Sequence, residues 1–585
     1  MLIAHMLVFG VIIAQLVSIQ VVNAESYADQ GVRQRERVLE LNASRGRIYD
    51  RNGEVLATSV SSATVYADPA VFHGDVEIDG EVVSARRAAA LVAPFVGRDA
   101  GEVLTRLLGD GRFVYLGRQL DWDTGAAIRE LGIPGIGVLE EPRRVYPLDG
   151  LAGPVVGFTD IDGAGLSGIE SIFDDVLQGT PGELLLERAP NGLDIASGIR
   201  QMRPAEPGSD VVLAVEREIQ HAAERAAADA ISNADALAAN VVVLDADTFE
   251  VLAMASAPGF DPNERRDEDR ANWRNRPVVD VFEPGSSQKA LTMAAAIEEG
   301  IVGAQTRFDV PDRIRVSTDE FNDVAPHPTE SLSVTDILER SSNVGTIMIA
   351  QQLGDERLDT YLRAFGYGST TGLGLPGESA GLLMPHESWW GTSLPTIAIG
   401  QGVAVTLLQL ATAYATLAND GQARVPTVVR GTLGDDGDLV TTPGSAPTRV
   451  VSTETARQVR SMLEAAVAGE HATGQLARVP GYSVAGKTGT ARKPNTDAPG
   501  YSSEYVATFV GFAPVDDPEV VVAVMVDEPT PIYGGVVAAP IFREVMQTAL
   551  SVLHVVPDRS DTSLEALVGR ARERAIEVAA TEGPA

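Results

Sequence analysis

From Met1 to Ala24 the chain carries no Asp, Glu, Lys or Arg, and the apolar run Leu2 to Val22 is broken only by His5, Gly10, Gln15, Ser18 and Gln20. Backbone N–H and C=O groups in hydrocarbon must be satisfied within the segment, so such a run crosses a bilayer as a helix. At about 1.5 Å per residue, roughly 20 residues span the apolar core, and residues 1–24 read as a single transmembrane anchor. A cleaved signal peptide is the alternative, because Val22-Asn23-Ala24 ahead of Glu25 has the small residues of a processing site. No basic residue precedes the run, so the positive-inside rule leaves its orientation open.

The whole chain is long enough, at 585 residues and 44% hydrophobic content, to hold two or three cored domains. Its net charge of −35 argues against nucleic acid as a partner. With no cysteine, disulfides, thiol catalysis and cysteine-held metals are excluded. The histidines (His5, His73, His221, His327, His386, His471, His554) stand singly without ligand spacing, so no metal, no cofactor and no histidine triad is expected.

Chemistry concentrates around Glu283-Pro284-Gly285-Ser286-Ser287-Gln288-Lys289, where an irregular stretch turns into a helix that Gly300 stops. Lys289 lies about one turn beyond Ser286, on the same face. A serine hydroxyl needs a neighbouring base to become a nucleophile, and a desolvated neutral lysine can serve. Ser-x-x-Lys alone is a short pattern that chance supplies. Composition sharpens it, because only Lys289, Lys487 and Lys493 are lysines among 46 basic residues. Arginine cannot be deprotonated in proteins, so a chain that nearly excludes lysine should keep it where a proton moves or a compact ammonium is needed.

Two further motifs complete a set. Ser341-Ser342-Asn343 lies between helical runs, where it either presents Ser341 and Asn343 to a cleft or merely caps a helix. Lys487-Thr488-Gly489-Thr490 ends a β-like run, where a strand edge could take an extended acyl donor and Gly489 would permit close backbone approach. Ser-x-x-Lys, Ser-x-Asn and Lys-Thr-Gly in this order are the signature of penicillin-binding proteins. The chain resembles a class B penicillin-binding protein, and Phe282-Glu283-Pro284-Gly285 is similar to the septal, cell-division D,D-transpeptidases. Supporting stretches are Arg45-Gly46-Arg47-Ile48-Tyr49-Asp50-Arg51-Asn52-Gly53, Arg143-Arg144-Val145-Tyr146-Pro147, Gly168-Ile169-Glu170 and Ala255-Ser256-Ala257-Pro258-Gly259-Phe260-Asp261-Pro262-Asn263. Gly400-Gln401-Gly402-Val403-Ala404-Val405-Thr406 and Phe509-Val510-Gly511-Phe512-Ala513-Pro514 add to them. Gln288 departs from the pattern, being polar where the family packs an apolar residue.

The resemblance implies an α+β multidomain chain. Residues 1–24 would be the anchor, 25–207 a mixed α/β pedestal or dimerisation-type domain, 208–556 the penicillin-binding transpeptidase domain and 557–585 an acidic tail. The transpeptidase domain would pair an antiparallel sheet flanked by helices with an all-helical subdomain. Ser286 would attack the penultimate D-alanine of a D-Ala-D-Ala stem peptide. Lys289 would take its proton, Ser341 and Asn343 would relay protons and hold the amide, and Lys487, Thr488, Gly489 and Thr490 would bind the substrate carboxylate and line the strand edge. Ser286 and Thr490 N–H groups would form the oxyanion hole. β-Lactams would acylate the same serine, with the catalytic domain outside the cell membrane and a glycan polymerase and other division proteins as partners. The alternatives are a D,D-carboxypeptidase or β-lactamase-like hydrolase, and a non-catalytic division scaffold or β-lactam sensor.

Local patterns also predict a hairpin about Asn52-Gly53, helices over Ser84–Val96 and Glu218–Ala239, and strands over Asn240–Asp245 and Val251–Ser256. Helices should dominate from Ser286 to about Thr427. Strands should return at Ser483–Thr490, Tyr505–Ala513 and Glu519–Asp527, with Pro540 in the first turn of a last helix.

Overall fold

The computed structural model describes every residue except 24–35, 75, 79–80, 188–199, 435, 496–499 and 560–585. The processing-site residue Ala24 and nearly all of the expected tail 557–585 therefore lie outside the described residues. At the N-terminus α1 (Leu2–Val17) continues as a π-helical turn to Val22, and His5–Val22 is long and apolar enough to cross a membrane.

The chain forms two units and visits each more than once. The first comprises Met1–Arg47, Thr58–Val145 and Asp175–Asp210; the second comprises Ile48–Ala57, Tyr146–Asp174 and Val211–Ala585. The chain therefore passes between the units several times, the last time from Asp210 to Val211. Hydrogen bonding explains why. Ile48 and Tyr49 pair in parallel with Val211 and Val212, and the Asn263 amide bonds both the N–H (3.0 Å) and the C=O (2.9 Å) of Tyr146.

In the first unit, residues of the long strand Val55–Ala67 pair antiparallel with Ile136–Val145 and Val114–Leu120. The helices Ala85–Val96 and Ala100–Leu107 close its core around Val65, Val92, Leu107, Leu116 and Ile128. Ser84 caps the first of them through the Arg87 N–H, so the expected start there is set by the cap.

The second unit is built on a five-stranded antiparallel sheet. Its strands are β1 (Ala238–Asp245), β2 (Val251–Ala257), β3 (Ala485–Pro494), β4 (Tyr501–Ala513) and β5 (Val520–Asp527), in the order β2-β1-β5-β4-β3. β1, β2 and β5 are mainly apolar and buried along nearly their whole length rather than at alternate positions, because both faces are covered. Helices α2 (Arg217–Ala234) and α7 (Gly534–Val552) share one core with the sheet, joining Ala223, Ala227, Phe542 and Val545 to Val241, Phe509 and Val522. α6 (Leu407–Ala418) is buried at every position, with the side chains of Gln409, Thr412, Tyr414 and Thr416 donating hydrogen bonds to backbone carbonyls. At 12 residues it is a core helix, too short for a bilayer that needs about 20.

Between the serine and α6 lie α3 (Lys289–Glu298), α4 (Val334–Glu339) and α5 (Asn343–Leu353). This region is less purely helical than expected. Four-residue strands pair as Arg307–Val310 with Glu330–Ser333 and Arg313–Val316 with Asp319–Asn322. The last helix also differs, since it begins at Gly534 and holds Pro540 in its interior. Its start is fixed by tertiary contact, with Thr490 Oγ1 accepting from the Gly534 N–H at 3.2 Å.

Candidate active site

Ser286 lies in a 3₁₀ turn, Gly285–Gln288, that runs directly into α3. Gly285 opens the turn at φ +54°, a left-handed conformation that glycine takes without strain. Its N–H donates to Gly400 O at 2.9 Å, and Tyr414 of α6 donates its hydroxyl to Ser287 O at 2.7 Å. The turn is therefore gripped on both sides. Ser286 itself stays partly exposed while Ser287, Gln288 and Lys289 are buried.

Lys289 is fully buried, and its Nζ donates to Ser341 O (2.6 Å), Asn343 Oδ1 (2.7 Å) and Ser341 Oγ (3.3 Å). Ser341 is held at φ 60°, uncommon for a non-glycine residue, in the connection between α4 and α5. That conformation turns both its carbonyl and its hydroxyl to the amine. Asn343 is oriented by donating Nδ2 to Asn322 O at 2.9 Å, which leaves Oδ1 for the lysine. Between them Ser342 caps α5 through the Gly345 N–H at 2.9 Å. The cap and the cleft are thus carried by alternate residues of one triplet.

Lys487 is also fully buried, on β3, with Thr488 O (3.4 Å), Thr488 Oγ1 (3.4 Å) and Thr473 Oγ1 (3.5 Å) around its Nζ. β3 ends the sheet order, so one side of its backbone has no neighbouring strand among the described residues. A Cβ on Gly489 would stand 2.7 Å from Pro284 O and 2.2 Å from Thr508 Oγ1, so only glycine lets the serine turn lie against this edge. Thr490 remains partly exposed there.

Burial pulls the Lys289 amine down to about 7, partly opposed by the charge of Asp323. Lys487 is driven well below its usual value by burial first and by the Lys289 charge second. At neutral pH an amine so depressed is available in its neutral form, the form a general base needs. The site can therefore take a proton from a hydroxyl and present an edge strand to an extended substrate.

Two contributors gave no sign in the sequence. Asp323 accepts from Asn343 N (2.5 Å), Ser342 Oγ (2.7 Å) and Val344 N (3.0 Å), and the His327 ring stands 3.1 Å from it. A carboxylate at a helix start satisfies free N–H groups and suits the helix dipole. Thr473 meets Thr488 Oγ1 at 2.8 Å. Neither falls in a recognisable spacing. Gln288 is fully buried, and both its amide atoms lack hydrogen-bond partners among the described residues. Its oddness in the motif is thus an energetic cost beside the Lys289 amine.

Residues 239–547 match the penicillin binding protein transpeptidase domain, and residues 40–213 match the penicillin-binding protein dimerisation domain. The chain is 36% identical to penicillin-binding protein PbpB of Mycobacterium tuberculosis over 91% of its own length and 81% of that protein. It is 32% identical to the peptidoglycan D,D-transpeptidase FtsI of Escherichia coli, over 95% and 92% respectively. It also matches the crystal structure of penicillin binding protein 3 from Mycobacterium tuberculosis complexed with aztreonam, with TM-score 0.69 and 31% identity over 89% of this chain and 99% of that one. The chain belongs to the class B penicillin-binding proteins, the dimerisation-plus-transpeptidase family that includes the septal D,D-transpeptidases.

Proposed function

We propose that this protein is a serine D,D-transpeptidase that cross-links peptidoglycan stem peptides during septal wall synthesis, through an acyl-enzyme on Ser286. The observation that carries the reading is a fully buried Lys289 amine whose hydrogen-bond acceptors among the described residues are uncharged, one helical turn from a partly exposed serine. Ser286 Oγ attacks the penultimate D-alanine carbonyl as Lys289 accepts its proton. Ser341 Oγ, within reach of the same amine, passes a proton to the leaving D-alanine nitrogen, and the Asn343 amide holds the substrate. Lys487, Thr488 and Thr490 receive the terminal carboxylate, and Gly489 keeps the strand edge open. The N–H groups of Ser286 and Thr490 stabilise the oxyanion, worth about 3–4 kcal/mol per donor in other acyl-transfer enzymes. An amine from a second stem then takes the acyl group, restoring Ser286. β-Lactams acylate the same oxygen.

In this reading residues 25–207 serve as the pedestal, 208–556 as the catalytic domain, and the apolar N-terminal helix holds the enzyme at the membrane with the site on the outer side. A membrane glycan polymerase and other division proteins are the partners. Incubation with a fluorescent penicillin tests the core of it: wild type is labelled covalently and Ser286→Ala is not. Unlabelled wild type, or label persisting in Ser286→Ala, would overturn the assignment. Mass spectrometry of products from lipid-linked precursor and a polymerase then separates cross-linked muropeptides, the expected result, from simple D-alanine release by a hydrolase.

A further inference from the structure

Glu283 precedes the nucleophile by three residues, and the mechanism above gives it no task. The segment it belongs to is clasped on one side by residues 400–405. Phe282 and Val405 exchange backbone bonds of 3.0 and 2.9 Å, and Gly285 N–H reaches Gly400 O at 2.9 Å. On its other side the segment lies against β3 at Gly489. Among the described residues, the Glu283 side chain bonds to these surroundings through one oxygen. Its Oε1 accepts from the Gly402 N–H at 2.8 Å and from the Tyr501 hydroxyl at 3.1 Å. Tyr501 opens β4 and sits opposite Pro494, the last residue of β3. Oε2 is buried with no hydrogen-bond partner among the described residues.

A buried carboxyl with one oxygen unpaired is unfavourable, and a well-packed apolar side chain would cost less. Burial indeed pushes the Glu283 carboxyl above its ordinary value, against the bonds from Gly402 and Tyr501. Glu283 is only 8% exposed, so it stands behind the cleft wall rather than at the substrate. What the carboxyl provides is one acceptor shared by two separate elements. We propose that Glu283 is a positioning residue whose Oε1 ties the 400–405 loop and the start of β4 to the serine turn, fixing where Ser286 stands relative to the β3 edge. This rests on Ser286 as the nucleophile.

The test measures the acylation rate constant of the full-length protein with a fluorescent penicillin, at saturating reagent and per labelled molecule, so that misfolded protein drops out. Glu283→Ala should slow acylation by about 30-fold, since misplacing a reacting group by a fraction of an ångström carries costs of that order. Tyr501→Phe should slow it by about fivefold, the worth of one ordinary hydrogen bond. Glu283→Gln keeps an oxygen acceptor and should recover most of the loss. Adding Tyr501→Phe to Glu283→Ala should cost nothing more, because the bond is already gone. The proposal is overturned if Glu283→Gln is as slow as Glu283→Ala, if the two losses multiply independently, or if only the labelled fraction falls while the rate constant holds. Unlabelled wild type would instead defeat the nucleophile assignment.

Discussion

The two ends of β3 carry the same residue type in opposite settings. Near its start, Lys487 is fully buried among hydroxyl and carbonyl oxygens and lies close enough to Lys289 to feel its charge. Near its end, Lys493 is partly exposed and bonded to Glu528 at 2.7 Å and Asp527 at 2.9 Å. Burial draws Lys493 down, but its bonds to Glu528 and Asp527 outweigh that and hold it above the ordinary lysine value. An amine with carboxylate partners is fixed as a cation; an amine buried among neutral acceptors can give up its proton. Scarcity of lysine marks positions worth inspecting, and the partners decide which of them does chemistry.

Lys289→Arg should break the cleft side of this contrast most severely. A guanidinium stays protonated, so acylation by a penicillin should fall by about a thousandfold or more, within the range general-base and nucleophile activation contribute. Lys487→Arg puts a permanent cation where the substrate carboxylate is proposed to sit and should lose only about tenfold, one hydrogen-bonded charge's worth, when the same rate is measured. Loss as complete as for Lys289→Arg would show that Lys487 also transfers a proton. Gln288→Met removes two unpartnered amide atoms at nearly constant volume and should raise unfolding free energy by about 1–2 kcal/mol in denaturant titration. Lys493→Arg should change stability by less than about 0.5 kcal/mol, since arginine can also pair with Asp527 and Glu528 at a partly exposed site.

The depressed amine also leaves a mark on stability. Below about pH 7 both folded and unfolded chains carry the Lys289 proton and the buried charge is felt in full. Between about 7 and the ordinary 10.5 only the unfolded chain holds it, so this group's contribution to stability rises with pH across that window.

Much of this was legible in the sequence because it is local. The hairpin about Asn52-Gly53 and the Ser84-capped helix follow from neighbouring residues. The three motifs carry their own spacing, and the structure brings Lys289 onto Ser341 and Asn343 and lays the serine turn against Gly489. What was not legible depends on distant partners. Asp323 acts by meeting a helix start 20 residues on, and nothing near it in sequence announces that. Ile48–Ala57 joins the second unit through pairing with residues 211–212, which no linker composition reveals. Pro540 suggested a helix start by local preference, yet contact of Gly534 with Thr490 moves the start upstream.

The central claim is that Lys289, drawn down to about 7 by burial, is the base for Ser286. The most direct test is the pH dependence of the single-turnover acylation rate. Wild type should rise through one ionisation near 7 and level off above it, and Asp323→Asn should shift that ionisation lower because the carboxylate raises the lysine. Lys289→Arg should show no such step. A wild-type rate flat between about pH 6 and 9, or the same step surviving in Lys289→Arg, would contradict the account.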